Sequence, residues 1–207
     1  NDTPYGTSVT PEALSKISKK SIIEYFNTNW KNIEAFLSGN ITDEIIVAFD
    51  NNFNNSKNNN TTKSLSIPKY NRKDISIKVK NSVQTSLKVG IPIINKNHAD
   101  YPELYFTNYI LGGYFGSRLM KNIREEKGLT YGIYSSMVSL QEAGYLVIGT
   151  DVKKELTQAA LTEIYREIAI LRDQPIDANE LNIVKNYMAG RLLTSVDTPF
   201  ALAEKFK

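Results

Sequence analysis

Arg124 and Tyr131 are the pair in this chain whose types and placement could do chemistry together. They flank Gly128-Leu129, where the glycine marks a helix end and the alternation that follows marks a strand. A guanidinium closing a helix and a phenol opening the next strand can converge on one carbonyl or oxyanion, each offering donors to developing negative charge. Both residues also have plain structural uses. Arg124 can stabilise the helix C-terminus by about 0.3 to 1 kcal/mol, and Tyr131 can pack in the sheet. Spacing alone leaves both readings open.

Other chemistries lack their parts. His98 is the single histidine and there is no cysteine, which removes serine triads, thiolate nucleophiles, disulfides, iron-sulfur clusters and zinc sites built from cysteine or several imidazoles. His98, between Asn97 and Ala99, reads as an exposed turn residue. Gly112-Gly113-Tyr114-Phe115-Gly116 fits neither G-x-G-x-x-G nor a P-loop and follows a helix, so it reads as a helix stop and tight turn. Ser66-Ile67-Pro68-Lys69 matches S-x-x-K but sits in a linker where nothing would orient it. Adjacent Glu125 and Glu126 point in different directions on a helix and read as a solvated face. No catalytic residue and no metal ligand is assigned within this chain alone.

The elements that must position Arg124 and Tyr131 follow from periodicity. Thr10-Pro11 starts a helix, Ser18 caps a second carrying Ile22, Ile23, Tyr25 and Phe26, and Ile33, Ala35 and Leu37 alternate towards a strand stopping at Gly39. Thr42 then caps a helix with Ile45, Ile46, Phe49 and Phe53 on one stripe. Seven of residues 51–60 are asparagine, leaving nothing apolar enough to fold, so 51–65 is read as a linker. Beyond it, Ile75, Ile77 and Val79, then Thr85, Leu87, Val89 and Ile91, predict two half-buried strands. Asp100 and Glu103 suggest a capping box opening a helix that Gly112-Gly113 ends, and a second helix runs from Ser117 to Lys127 with Gly128 as its stop. Tyr131–Ser139 and Tyr145–Thr150 read as a hairpin around 141–144, followed by helical segments near 153–173, 177–195 and 198–207. Hairpins without regular strand-helix-strand alternation predict an α+β fold, a two-layer sandwich of antiparallel or mixed sheet covered on one face by helices.

Composition agrees with a globular chain. Its 207 residues suffice for one large domain or one domain plus part of another, and 41% hydrophobic with 23% charged residues is ordinary usage. The net charge of +3 is spread out rather than gathered into a basic stripe, which argues against a nucleic-acid partner. No apolar run is long enough for a membrane span, and the polar start is no signal peptide, so any targeting segment is removed or lies upstream. The compartment stays open, periplasm or cytoplasm for a bacterial protein.

The run Ile110-Leu111-Gly112-Gly113, Ser117-Arg118-Leu119 and Ile123-Arg124-Glu125-Glu126-Lys127-Gly128-Leu129-Thr130-Tyr131 closely resembles the signature of the non-catalytic half of the pitrilysin and insulin-degrading-enzyme family of zinc peptidases, which includes mitochondrial processing peptidase. Residues 5–53, with Pro4-Tyr5-Gly6 and Leu14-Ser15-Lys16-Ile17, resemble that family's segment between halves. The resemblance implies two homologous halves closing over a peptide, with zinc held by H-x-x-E-H in the catalytic half and by nothing here. It implies that Arg124 and Tyr131 are substrate-binding residues reaching towards a peptide at the partner's zinc. Such a peptide would add as a strand to a sheet edge.

On this reading residues 1–50 correspond to the tail of a preceding catalytic half and 66–207 to an inactive half lacking its own terminal helix and strand. The leading helix and strand are then expected to fill that vacancy, within one molecule or by strand exchange in a homodimer, with 33–38 pairing a strand from 74–150. The functional expectation is an inactive half that binds peptide substrate for a catalytic half or subunit. The alternative is a structural or assembly subunit with the same fold and no part in proteolysis.

Overall fold

The computed structural model describes residues 8–29, 35–53, 71 and 73–206, which divide into two compact units, 8–53 with 189–206 and 71–188.

In the first unit three helices begin where their caps predict. Thr10 accepts from the Ala13 amide at 3.2 Å to open α1 (Pro11–Ser15). Ser18 and Ser21 exchange side-chain and backbone bonds of 3.1 and 2.9 Å at the start of α2 (Lys19–Asn29), a serine version of the capping box. Thr42 accepts from Ile45 to open α3 (Asp43–Phe53). The helix takes in residues 51–53, so the asparagine tract departs from it only afterwards, and the remaining linker residues up to 70 lie outside the described ones. None of these helices has a buried residue.

Two expectations here are not met. Residues 35–38 form no strand, and among the described residues the sheet draws every strand from 84–153; Ile33 lies outside them. In the second unit, residues 74–80 are likewise no strand despite perfect alternation, with Ile75 and Ile77 78% and 82% exposed. Alternation reports only which side chains could share a face. A strand also needs a neighbour to accept its amides, and none stands beside these residues among those described.

The second unit is a three-stranded antiparallel sheet, order β1-β3-β2, made of β1 (Gln84–Ile93), β2 (Thr130–Ser139) and β3 (Gly144–Lys153). β2 and β3 are the predicted hairpin, closed by the Leu140 amide on the Ala143 carbonyl. Between β1 and β2 the chain forms α4 (Tyr101–Asn108), a π turn (Tyr109–Gly113) and a π helix (Met120–Glu126). Asp100 precedes α4 but makes no side-chain cap, because its backbone (φ −84°, ψ 5°) is not the extended one a capping box requires, and its amide donates instead to His98 Nδ1. After β3 come α5 (Thr157–Asp173) and α6 (Ala178–Thr194), which continues towards α7 (Pro199–Phe206).

The core lies between one sheet face and the helices. Leu119, Ile123, Ile148 and Ile164 are essentially inaccessible, with Leu111, Ile133 and Leu146 packed around them. The fold is α+β with helices on one sheet face, as the patterning requires. The other face, with Lys88, Tyr134 and Tyr145, is open to solvent.

Candidate functional site

The signature divides into residues that build and residues that present. Gly112 builds: a Cβ there would meet Ser135 Cβ at 2.6 Å and Leu119 Cδ1 at 2.9 Å, so only glycine lets the π turn lie this close to β2. Asn108 secures the same contact, accepting from the Ser135 hydroxyl and donating its Nδ2 to the Ser135 carbonyl at 3.3 Å. Ser117 and Leu119 are buried. Arg118 makes a fork of 2.8 and 2.6 Å with Glu180 of α6, and that hydrogen bond raises its already high pKa further. Asn122 gives its amide hydrogens to Glu163 and Glu167 at 3.0 and 2.6 Å, tying the π helix to α5.

Those contacts aim Arg124. The π helix stops at Gly128, whose φ of +59° is the left-handed conformation glycine adopts without strain, and the Gly128 and Leu129 amides close on the carbonyls of Arg124 and Ile123. The chain turns directly into β2. Arg124 is half-buried, with its guanidinium 4.7 Å from the Phe115 ring centre and 5.6 Å from that of Tyr131.

Tyr131 owes its direction to a bulge. Ile133 and Ser135 point into the core, so strict alternation would send Tyr131 inwards with them. The pairing shifts by one residue between Thr130, opposite Val152, and Ile133, opposite Thr150, and the extra residue turns Tyr131 out to 93% exposure. Two threonines hold the irregularity. Thr150 Oγ1 donates to Thr130 Oγ1 at 2.8 Å, Thr130 Oγ1 donates to the Asp151 carbonyl at 2.7 Å, and the Gly132 amide donates to Thr130 Oγ1 at 3.2 Å.

Arg124 and Tyr131 thus line one open cleft of about 720 Å³, together with Gly113, Phe115, Tyr134 and Asp151. Tyr114 also reaches it, its hydroxyl pKa raised by burial and, to a lesser extent, by the Glu180 carboxylate and Tyr187. The sequence brought Arg124 and Tyr131 forward; it passed over Phe115, read as part of a turn, and Tyr134, read as a strand residue. An exposed aromatic inside the signature, and the outward parity of Tyr134, were the available signals. Glu125 and Glu126 are exposed and His98 is half-exposed beside Asp100, as their solvated readings require.

The family profile "Peptidase M16 inactive domain" matches residues 16–188. The chain belongs to this family. The uncharacterized zinc protease YmxG of Bacillus subtilis is 29% identical over 192 residues, which cover 91% of this chain and 46% of that protein. The peptidase M16 inactive domain from Pseudomonas fluorescens, a solved structure, matches at TM-score 0.55 and 32% identity over 60% of this chain and 30% of that one. A protease from Helicobacter pylori matches at TM-score 0.77 and 16% identity over 94% of this chain and 49% of that one, a likeness of fold. The M16 inactive domain described here therefore spans less than half the length of YmxG.

The M16 relatives' zinc finds no home in these residues. There is one imidazole and no thiol, and among the described residues no three histidine or acidic side chains come together as a metal cage. A protein zinc centre takes three or four such ligands, so the donor set of the described residues does not fit one.

Proposed function

We propose that this M16 inactive domain holds an extended peptide in the cleft and presents it to the zinc centre of a catalytic half carrying H-x-x-E-H, with Arg124 and Tyr131 as donors to the peptide. The observation that supports this reading is the bulge at Tyr131. A strand that kept its alternation would bury the tyrosine; two threonines instead hold it outwards, beside a guanidinium. The ring contacts of Arg124 occupy none of its five N–H donors, so a carbonyl or oxyanion of the peptide can take them. Gly132, where an added Cβ would meet nothing within 4 Å, leaves backbone at the cleft wall unobstructed for an extended chain. The domain hydrolyses nothing by itself on this reading, since the metal chemistry belongs to the partner.

The test joins the chain to its catalytic half, fused or separate, and measures peptide cleavage. Arg124→Ala should lower kcat/KM by about 10² to 10³, the usual effect of losing one donor to a transition-state oxyanion, and Tyr131→Phe should cost less. A loss below about threefold for Arg124→Ala would return the pair to helix-end and packing roles and favour an assembly subunit without a proteolytic part.

A further inference from the structure

Beside the Arg124 and Tyr131 pair, the open sheet face carries a second donor arrangement. Lys88 on β1 and Tyr134 on β2 both stand opposite Gly149 of the central strand. A Cβ on Gly149 would lie 2.6 Å from the Tyr134 hydroxyl and 2.7 Å from Lys88 Nζ, so the missing side chain is what lets the two long ones meet above β3. Lys88 Nζ donates to the Tyr134 hydroxyl at 2.7 Å and lies 4.9 Å from the ring centre.

This pairing leaves donors over. The ammonium has used one of its three hydrogens, and a phenol that accepts from a cation keeps its own hydrogen to give away. Among the described residues, ion pairs are made by Arg118, Lys127, Arg166 and Arg172, and neither Lys88 nor Arg124 has a carboxylate partner. Two adjacent donors, one charged, match the two oxygens of a carboxylate. Tyr134 lines the same cleft as Arg124 and Tyr131. Asp151, the acidic residue lining that cleft, occupies the next outward position along β3 and would repel a carboxylate placed there.

Resting on the peptide-binding reading above, we infer that Lys88 and Tyr134 form a specificity subsite for a carboxylate of the bound peptide, so that the cleft selects peptides acidic at one position.

The test uses the 207-residue chain and short neutral peptides carrying a single Glu at each position in turn, each with its Gln analogue and with free and amidated C-termini. At one position Glu should bind about tenfold more tightly than Gln, the scale of a hydrogen bond to a charged group, and the preference should shrink as salt is raised. Lys88→Met should reduce that ratio to below about twofold and Tyr134→Phe should lower it part-way. If the preference follows the free C-terminus instead of a Glu side chain, the subsite takes the terminal carboxylate. Peptides that bind with no difference between Glu and Gln, or between free and amidated ends, would overturn the subsite and leave the peptide-binding reading standing. Failure of every peptide to bind would overturn both.

Discussion

The two units of this chain use the same helical grammar with opposite results. In residues 8–53, Thr10, Ser18 and Thr42 cap helices whose apolar stripes, Ile22 with Phe26 and Ile45 with Phe49, face solvent or are only half covered. In residues 71–188, Ile123 of the π helix and Ile164 of α5 are fully buried against Ile148 of the sheet. Caps and stripes therefore decide where a helix forms, whereas the stability of the assembly comes from what the stripe meets.

The sharpest way to break that contrast is to cut into both stripes. Ile123→Ala and Ile164→Ala should each cost about 2 to 5 kcal/mol in urea unfolding. Ile22→Ala and Ile46→Ala should stay within about 0.5 kcal/mol, and a loss above about 2 kcal/mol at Ile46 would mean its stripe is covered in solution. A smaller contrast divides two glycines of the cleft wall. Gly112→Ala should cost about 1 to 3 kcal/mol by forcing the π turn off β2. Gly132→Ala, where an added Cβ meets nothing within 4 Å, should be nearly neutral in the same assay.

The smallest effect is one of pH. Glu163 accepts from Asn122, with Lys127 and Arg166 at 3.3 and 3.5 Å, and these partners, Asn122 first, hold its pKa below the ordinary carboxyl value. A carboxyl lower in the folded than in the unfolded chain stabilises above its unfolded pKa, about 4.3, and loses that contribution as pH falls through the lowered value. The native chain should therefore lose stability on acidification below about pH 4.3 more steeply than Glu163→Gln, by no more than about 1 kcal/mol. Parallel acid-unfolding curves for the two would exclude the linkage.

What could be read from the sequence was local. The hairpin of β2 and β3, the caps at Thr10, Ser18 and Thr42, and the stop at Gly128 each depend on a few adjacent residues, and each is where the pattern put it. The strand expected at Ile75 to Val79 depended on a partner, which alternation does not encode. The winding of 120–126 escaped notice because apolar spacing barely distinguishes bonds to the fifth residue back from bonds to the fourth. In the cleft, Arg124 and Tyr131 were visible through their motif. Phe115 beneath the guanidinium sits in a run that reads as a turn, Lys88 reaches Tyr134 from 46 residues away, and the outward turn of Tyr131 rests on a one-residue slip that no composition signals.

The strand order carries a consequence for the nascent chain. β3 lies between β1 and β2 although it is the last of the three to be made, so β1 leaves the ribosome and must wait for residues 94–143 before its partner arrives. At about 5 to 20 residues per second that is several seconds as a lone apolar segment. Lys88 and Pro92, which dull a strand against pairing with other chains, then guard β1 during synthesis as well as afterwards.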